Sequence, residues 1–369
     1  MTLDEYQKKA FATAKIDWQN THKRHIPVFG VIGELGSLAT ELKKALRDGA
    51  AYTDGLANVA EEFGDLLWYV GALATHYEFA LGSLAKSPIS ADRAASKYAN
   101  LYTMVGAFGQ LVAQTNRCLE SSTPTNRRGL KHSLATALQS VLRAIRHEQL
   151  DLADILRSNL RKVKSMFGPD LPGAARWFDK RFPDFERLPR RIDIQFLERE
   201  RGKDRLEVIL RVNELNIGDR LTDNAVKDDG YRYHDAFHLA YAAVLGWSPV
   251  VRATFRCKRK SDSRIDEVQD GARAAIVEEA IAQTVFHYAR GHSMLRGLDR
   301  VDPGILKLIR RMVRGLEVER CALHDWQRAI LVGFEAFRAL RRARGGWLAL
   351  DAERQSLTFQ REPPLVDRD

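Results

Sequence analysis

Glu34, Ser37 and Glu41, followed by Glu62 and Asp65, are the residues of this chain whose types and spacing could do chemistry. Side chains three or four positions apart on a helix share a face, so Glu62 and Asp65 project together, as do Glu34, Ser37 and Glu41. Two such helices packed antiparallel along their apolar stripes bring Glu34 opposite Glu62 and Asp65. Carboxylates gathered this closely repel unless cations sit among them. Oxygen ligands on rigid helices suit Mg²⁺ or Mn²⁺, ions that keep several waters and bind substrate phosphates. Asp65 lies within an otherwise apolar run, FGDLLWYVGAL, where a stray carboxylate is costly unless paired or metal-bound.

The elements that must position these residues are legible from apolar periodicity. A first helix is expected over 3–20, with Tyr6, Ala10, Phe11, Ala14 and Trp18 on one stripe. A second runs from Pro27 to Arg47, stopped by Asp48-Gly49. A third follows Asp54 as N-cap, its stripe made by Leu56, Val59, Phe63, Leu66, Leu67, Val70 and Leu73. After a break near Pro88 comes another helix pair, 91–120 and 129–148, and then a helix over 150–168. Residues 83–148 read as a degenerate repeat of the first hairpin, with Ala107, Gln110, Ala137 and Ser140 where the first has Glu34, Ser37, Glu62 and Asp65. A duplicated hairpin stripped of its ligands would give a single-chain pseudo-dimer with one working site.

Four prolines over 169–191 mark a linker. Beyond it, the alternating stretches 192–198 and 206–212 form a β-hairpin, and helical patterns cover 230–246, 270–290, 303–318 and 322–343. The expected fold class is therefore mainly α: a helical domain over 1–168 and a mostly helical domain over 192–369 with a small β-hairpin at its entrance.

Gly33-Glu34-Leu-Gly-Ser37 with Lys43-Lys44, then Glu61-Glu62-Phe-Gly-Asp65-Leu-Leu-Trp-Tyr, resembles the MazG-like, all-α nucleoside triphosphate pyrophosphohydrolases. The opening LDEYQKKAFATA and the closing Leu152-x-x-Ile155-x-x-x-Asn159-x-x-Lys162 are similar to that family too, so the resemblance covers roughly 1–167. It implies Mg²⁺-dependent hydrolysis of an NTP or dNTP to the monophosphate and pyrophosphate. Glu34, Glu62 and Asp65 then match three of its four acidic metal ligands. Ser37 stands where the family has a glutamate, which removes one negative charge from the site. Glu61 or Glu41 would act as general base, and Lys43, Lys44, Asn159 and Lys162 are the candidate phosphate contacts. The alternative is a weakened site that binds nucleotide without turnover and signals through the C-terminal half. Helical enzymes of this kind usually pair hairpins between subunits, so a homodimer is expected, unless the internal repeat replaces that pairing.

The C-terminal half carries a second group, His234, Asp235 and His238, with Glu278-Glu279 farther on. Histidines one turn apart are good metal-ligand geometry, and the His-Asp dipeptide is similar to HD-type phosphohydrolases. That family needs a further upstream histidine, and the nearest, His147, lies outside this domain. The same residues could instead be a degenerate acidic hairpin, or histidines satisfied by hydrogen bonds at a domain interface.

The chain's 369 residues, 45% of them hydrophobic and 29% charged, exclude a disordered or fibrous class. Three widely spaced cysteines fit a reducing compartment, and no run is apolar enough to span a membrane, so a cytoplasmic location is expected. The net charge of +10 suits a polyanionic small substrate. A nucleic-acid partner is not favoured, although Arg256-Cys-Lys-Arg-Lys260 would be its motif.

Overall fold

The computed structural model describes residues 1–12, 14, 16–53, 55–86, 96–167, 177–201 and 205–363. They fall into two compact units, Met1–Gly168 and Pro169–Asp369. No helix among the described residues is long and apolar enough to cross a membrane.

In the first unit, Thr2 and Glu5 form a reciprocal capping box that starts α1 (Leu3–Phe11). This helix is shorter than the expected 3–20. Beyond it the Asp17 carboxylate accepts from the N–H groups of Gln19 and Asn20, and Asn20 Oδ1 from those of His22 and Lys23, local turns that compete with helix. Trp18 leaves the α1 stripe and stacks on His76, with ring centroids 3.8 Å apart. Helix α2 (Ile26–Asp48) carries Pro27 in its first turn and ends at Gly49, whose φ of +52° suits a residue without a Cβ. Helix α3 (Gly55–His76) follows; its expected cap, Asp54, lies outside the described residues.

A short α4 (Leu81–Ala85) precedes the antiparallel pair α5 (Lys97–Glu120) and α6 (Pro124–His147). The latter starts earlier than the expected 129 because Thr123 Oγ1 accepts from Asn126 N–H and Pro124 fills the first turn. Helix α7 (Leu152–Phe167) closes the unit. Helix α3 lies at its centre, packed against α1, α2, α6 and α7. Its Phe63, Leu66, Leu67, Val70 and Leu73 share one core with Leu134, Leu138 and Leu156. Where the first hairpin carries acidic residues, the second buries Ala107, Ala137 and Ser140.

The second unit is built on a five-stranded antiparallel sheet in the order β3-β2-β1-β4-β5. The expected hairpin is present as β1 (Arg191–Glu200) and β2 (Leu206–Val212), but the sheet extends on both sides of it. Strand β3 (Leu215–Leu221) adds to β2, β4 (Gly345–Asp351) returns from the far end of the chain to pair with β1, and β5 (Ser356–Gln360) completes the edge. The helices are α8 (Asp235–Leu245), α9 (Pro249–Thr254), α10 (Ser263–Val268), α11 (Ala272–Arg290), α12 (Pro303–Met312) and α13 (Leu323–Ala343). Helices α8 and α13 approach closely at Gly333, where a Cβ would meet Phe237 and Ala240 at 3.2–3.4 Å.

Two expectations for this half change. Residues 177–190, expected as linker, are built into the unit: Phe182 and Leu188 are buried, and Asp179 accepts from Arg190, Arg252 and the Leu188 N–H. The basic run at 256–260 is not a continuous charged surface. Arg259 is 0% exposed and forms ion pairs of 2.6 Å with both Asp270 and Glu317. The nucleic-acid motif therefore loses one of its four cations to the interior.

Candidate metal centre

Helices α2 and α3 bring Glu34, Glu62 and Asp65 together, with one oxygen from each lying within 4.8 Å of the others. Two glycines allow the close packing this needs. A Cβ at Gly30 would lie 2.3 Å from the Tyr69 ring across the α2–α3 seam. At Gly64 it would lie 3.0 Å from Asn159 Cβ, where α7 meets α3. Asn159 thereby reaches Asp65, donating from Nδ2 to Oδ1 at 2.8 Å, while Lys162 donates to the other carboxylate oxygen. The buried Tyr6 hydroxyl donates to Asn159 Oδ1 at 2.7 Å, which fixes the amide with its NH₂ toward Asp65. Tyr6 and Gly64 are site residues the sequence did not announce.

The electrostatics fit a site short of positive charge. Burial, a hydrogen bond with Glu34 and the charges of Glu34 and Asp65 push Glu62 up to about 8. Asp65 is also raised, by burial first, with Lys162 drawing it back down. For Lys162, burial opposes the charged form, but the carboxylates of Asp65 and Glu61 overcome it and hold the ammonium well above the usual lysine range. One ammonium against three converging carboxylates leaves excess negative charge. That is the donor set a hard dication requires.

The other expected residues are placed as follows. Glu61 is about half exposed and pairs with Lys162 at 2.6 Å, on the rim of the cluster. Glu41 does not join it. Two turns beyond Glu34, roughly 10 Å along the axis, its buried carboxylate accepts from Lys44 Nζ at 2.7 Å and Asn58 Nδ2 at 3.2 Å. Lys44 is occupied by that pair, whereas Lys43 is exposed on the helix. Ser37 lies half-buried one turn from Glu34, outside the carboxylate group.

In the second unit, one donor atom each from His234, Asp235 and His238 also lies within 4.8 Å of the others. His234 Nδ1 faces the Tyr231 carbonyl at 2.9 Å, and His238 Nδ1 faces Glu278 Oε1 at 2.9 Å. Glu278, wholly buried, also accepts from Ser248 Oγ at 2.7 Å and Val250 N–H at 2.9 Å. Glu279 is half-exposed and faces both imidazoles, 3.9 Å from His234 Nε2 and 3.4 Å from His238 Nε2. Burial holds His234 below the ordinary histidine range. For His238 burial acts the same way, but the Glu278 carboxylate prevails and holds it well above.

Among known proteins, the family model described as MazG C-terminal domain matches residues 173–363. That is the half for which the sequence suggested no function. This match does not extend to residues 1–167, where the sequence resemblance was read. A stretch of 92 residues is 30% identical to the Gene 37 protein of Mycobacterium phage L5, covering 23% of this chain and 81% of that protein. No solved structure matches the chain.

Proposed function

The chain belongs to the MazG C-terminal domain family, and from that premise we propose that its N-terminal helical unit hydrolyses nucleoside or deoxynucleoside triphosphates to the monophosphate and pyrophosphate. The observation that carries this reading is the convergence of Glu34, Glu62 and Asp65 within 4.8 Å on two facing helices, with Lys162 and Asn159 on the same carboxylate. These three would hold Mg²⁺, or Mn²⁺ in its place. Such an ion would offset charge on the triphosphate and lower the pKa of a bound water, so that the water can give up a proton and attack as hydroxide.

The chain's own residues supply the rest. The Tyr6–Asn159–Asp65 chain of hydrogen bonds fixes one carboxylate oxygen and leaves Asp65 little rotational freedom. Lys162, shared between Asp65 and Glu61, can turn an N–H toward a phosphate oxygen without leaving its carboxylates, because an ammonium has three donors. We assign Glu61, on the rim of the cluster beside Lys162, the role of taking a proton from the attacking water. Glu41 is set aside for that role because it lies two turns beyond Glu34, roughly 10 Å along the helix axis. Exposed Phe29 and Ile32 on α2, with Tyr102 and Val105 on α5, support association between copies of the chain.

The test is pyrophosphate release from a mixture of NTPs and dNTPs with saturating Mg²⁺. Glu62→Gln and Asp65→Asn should each lower it by about a hundredfold or more, as loss of groups acting in one charge cluster does. Undiminished release in both would overturn the assignment.

A further inference from the structure

We propose that His234, Asp235 and His238, completed by Glu279, form a second metal site in the C-terminal unit, one that takes a transition-metal dication of the zinc type. Metal-binding histidines characteristically donate one ring N–H to a carbonyl or carboxylate, which leaves the other nitrogen for the metal. Both histidines here are arranged that way. His234 Nδ1 is on the Tyr231 carbonyl, and His238 Nδ1 is on Glu278. Glu278 is itself fixed by Ser248 and the Val250 N–H, so it acts as a positioning residue.

That leaves the two Nε2 atoms. His238 Nε2 is fully buried and, among the described residues, faces only the Glu279 carboxylate, at 3.4 Å, too long for a good hydrogen bond. A buried polar atom left poorly paired costs free energy, and a dication at this position removes that cost by taking the place of a proton. Asp235 Oδ1 is 3.4 Å from His234 Nε2 on the same side, and the half-exposed Glu279 offers a route from solvent. Two imidazoles with carboxylates are a borderline donor set that suits Zn²⁺ and its first-row neighbours, unlike the all-oxygen cluster between α2 and α3.

The site also has a polar neighbour. Tyr231 stacks flat on His234, with centroids 4.3 Å apart. Tyr231 also lines a cavity of about 270 Å³ together with Asp229, His287 and Arg290.

The test uses the full chain, stripped of metal, with Mg²⁺ in excess to occupy the oxygen cluster. Co²⁺ is titrated and followed by its visible absorption, which is strong in four- or five-coordinate nitrogen-containing sites and weak in octahedral oxygen sites. The expected result is one equivalent of strongly absorbing Co²⁺, displaced by one equivalent of Zn²⁺. Asp235→Asn and His238→Ala should abolish that signal, and Glu278→Gln should weaken the affinity by about 10–100-fold. Absence of the strong absorption in the wild-type chain, or its persistence in both Asp235→Asn and His238→Ala, would overturn the proposal.

Discussion

Replacing Glu62 with Gln should stabilise the metal-free protein at high pH while abolishing its stabilisation by Mg²⁺. The sign follows from the raised ionisation of this carboxyl. With the folded-state value near 8, against an ordinary 4.5, the stability contributed by the protonated form is complete below about 4.5. It is lost as pH rises through about 8. Above that range Glu62 is charged beside Glu34 and Asp65. Two charges at the outer limit of 4.8 Å interact by about 3.5 kcal/mol at an effective dielectric constant of 20. Solvent reaching the half-buried Glu62 reduces this to about 1 kcal/mol. For a unit of this size that is a rise in midpoint of roughly 2–4 °C. Differential scanning calorimetry at pH 9 in EDTA should therefore place the responsive transition of the Glu62→Gln variant above that of the wild type, and added Mg²⁺ should reverse the order. A variant that melts lower than wild type in EDTA would refute the reasoning, because the carboxylate would then be making stabilising bonds of its own.

Three further outcomes follow from the same geometry. Tyr6→Phe deletes the hydrogen bond that orients Asn159 and should raise the Mg²⁺ concentration needed for half-maximal turnover by about tenfold, measured by Mg²⁺ titration at fixed substrate; an unchanged requirement would separate Tyr6 from the site. Ser37→Glu adds a carboxylate one turn from Glu34 and should raise turnover at limiting Mg²⁺ by about tenfold, read as pyrophosphate per enzyme. Arg259→Met leaves Asp270 and Glu317 buried without their guanidinium; it should destabilise the C-terminal unit by about 3–5 kcal/mol, visible in urea unfolding.

The N-terminal helices and their three converging carboxylates were legible because both rest on local spacing: an apolar stripe at helical period, and acidic residues one turn apart. What was hidden depends on distant parts of the chain. Tyr6 reads as one more apolar-stripe residue until Asn159, 153 positions away, is seen to accept from it. Strand β4 is short and follows directly on a long helix, and only its pairing with β1 across some 150 residues makes it, and β5 beside it, part of the sheet. Arg259 looks like its basic neighbours in sequence, and only the fold sets it against Asp270 and Glu317. Glu41 shares its helix face with Glu34, but Asn58 and Lys44 claim it first. The spacing of His234 and His238 was visible. Glu278 was named beside them, but that it holds His238 Nδ1, and the Tyr231 carbonyl His234 Nδ1, was not legible.

The central claim is tested most directly by identifying products. Purified chain is incubated with each of the eight common NTPs and dNTPs, with Mg²⁺ or with EDTA, and the products are separated by ion exchange. The account predicts monophosphate and pyrophosphate in equal amounts from at least one substrate, none in EDTA, and none from the Asp65→Asn variant. Diphosphate with free phosphate, or no turnover of any of the eight by folded protein, would contradict it.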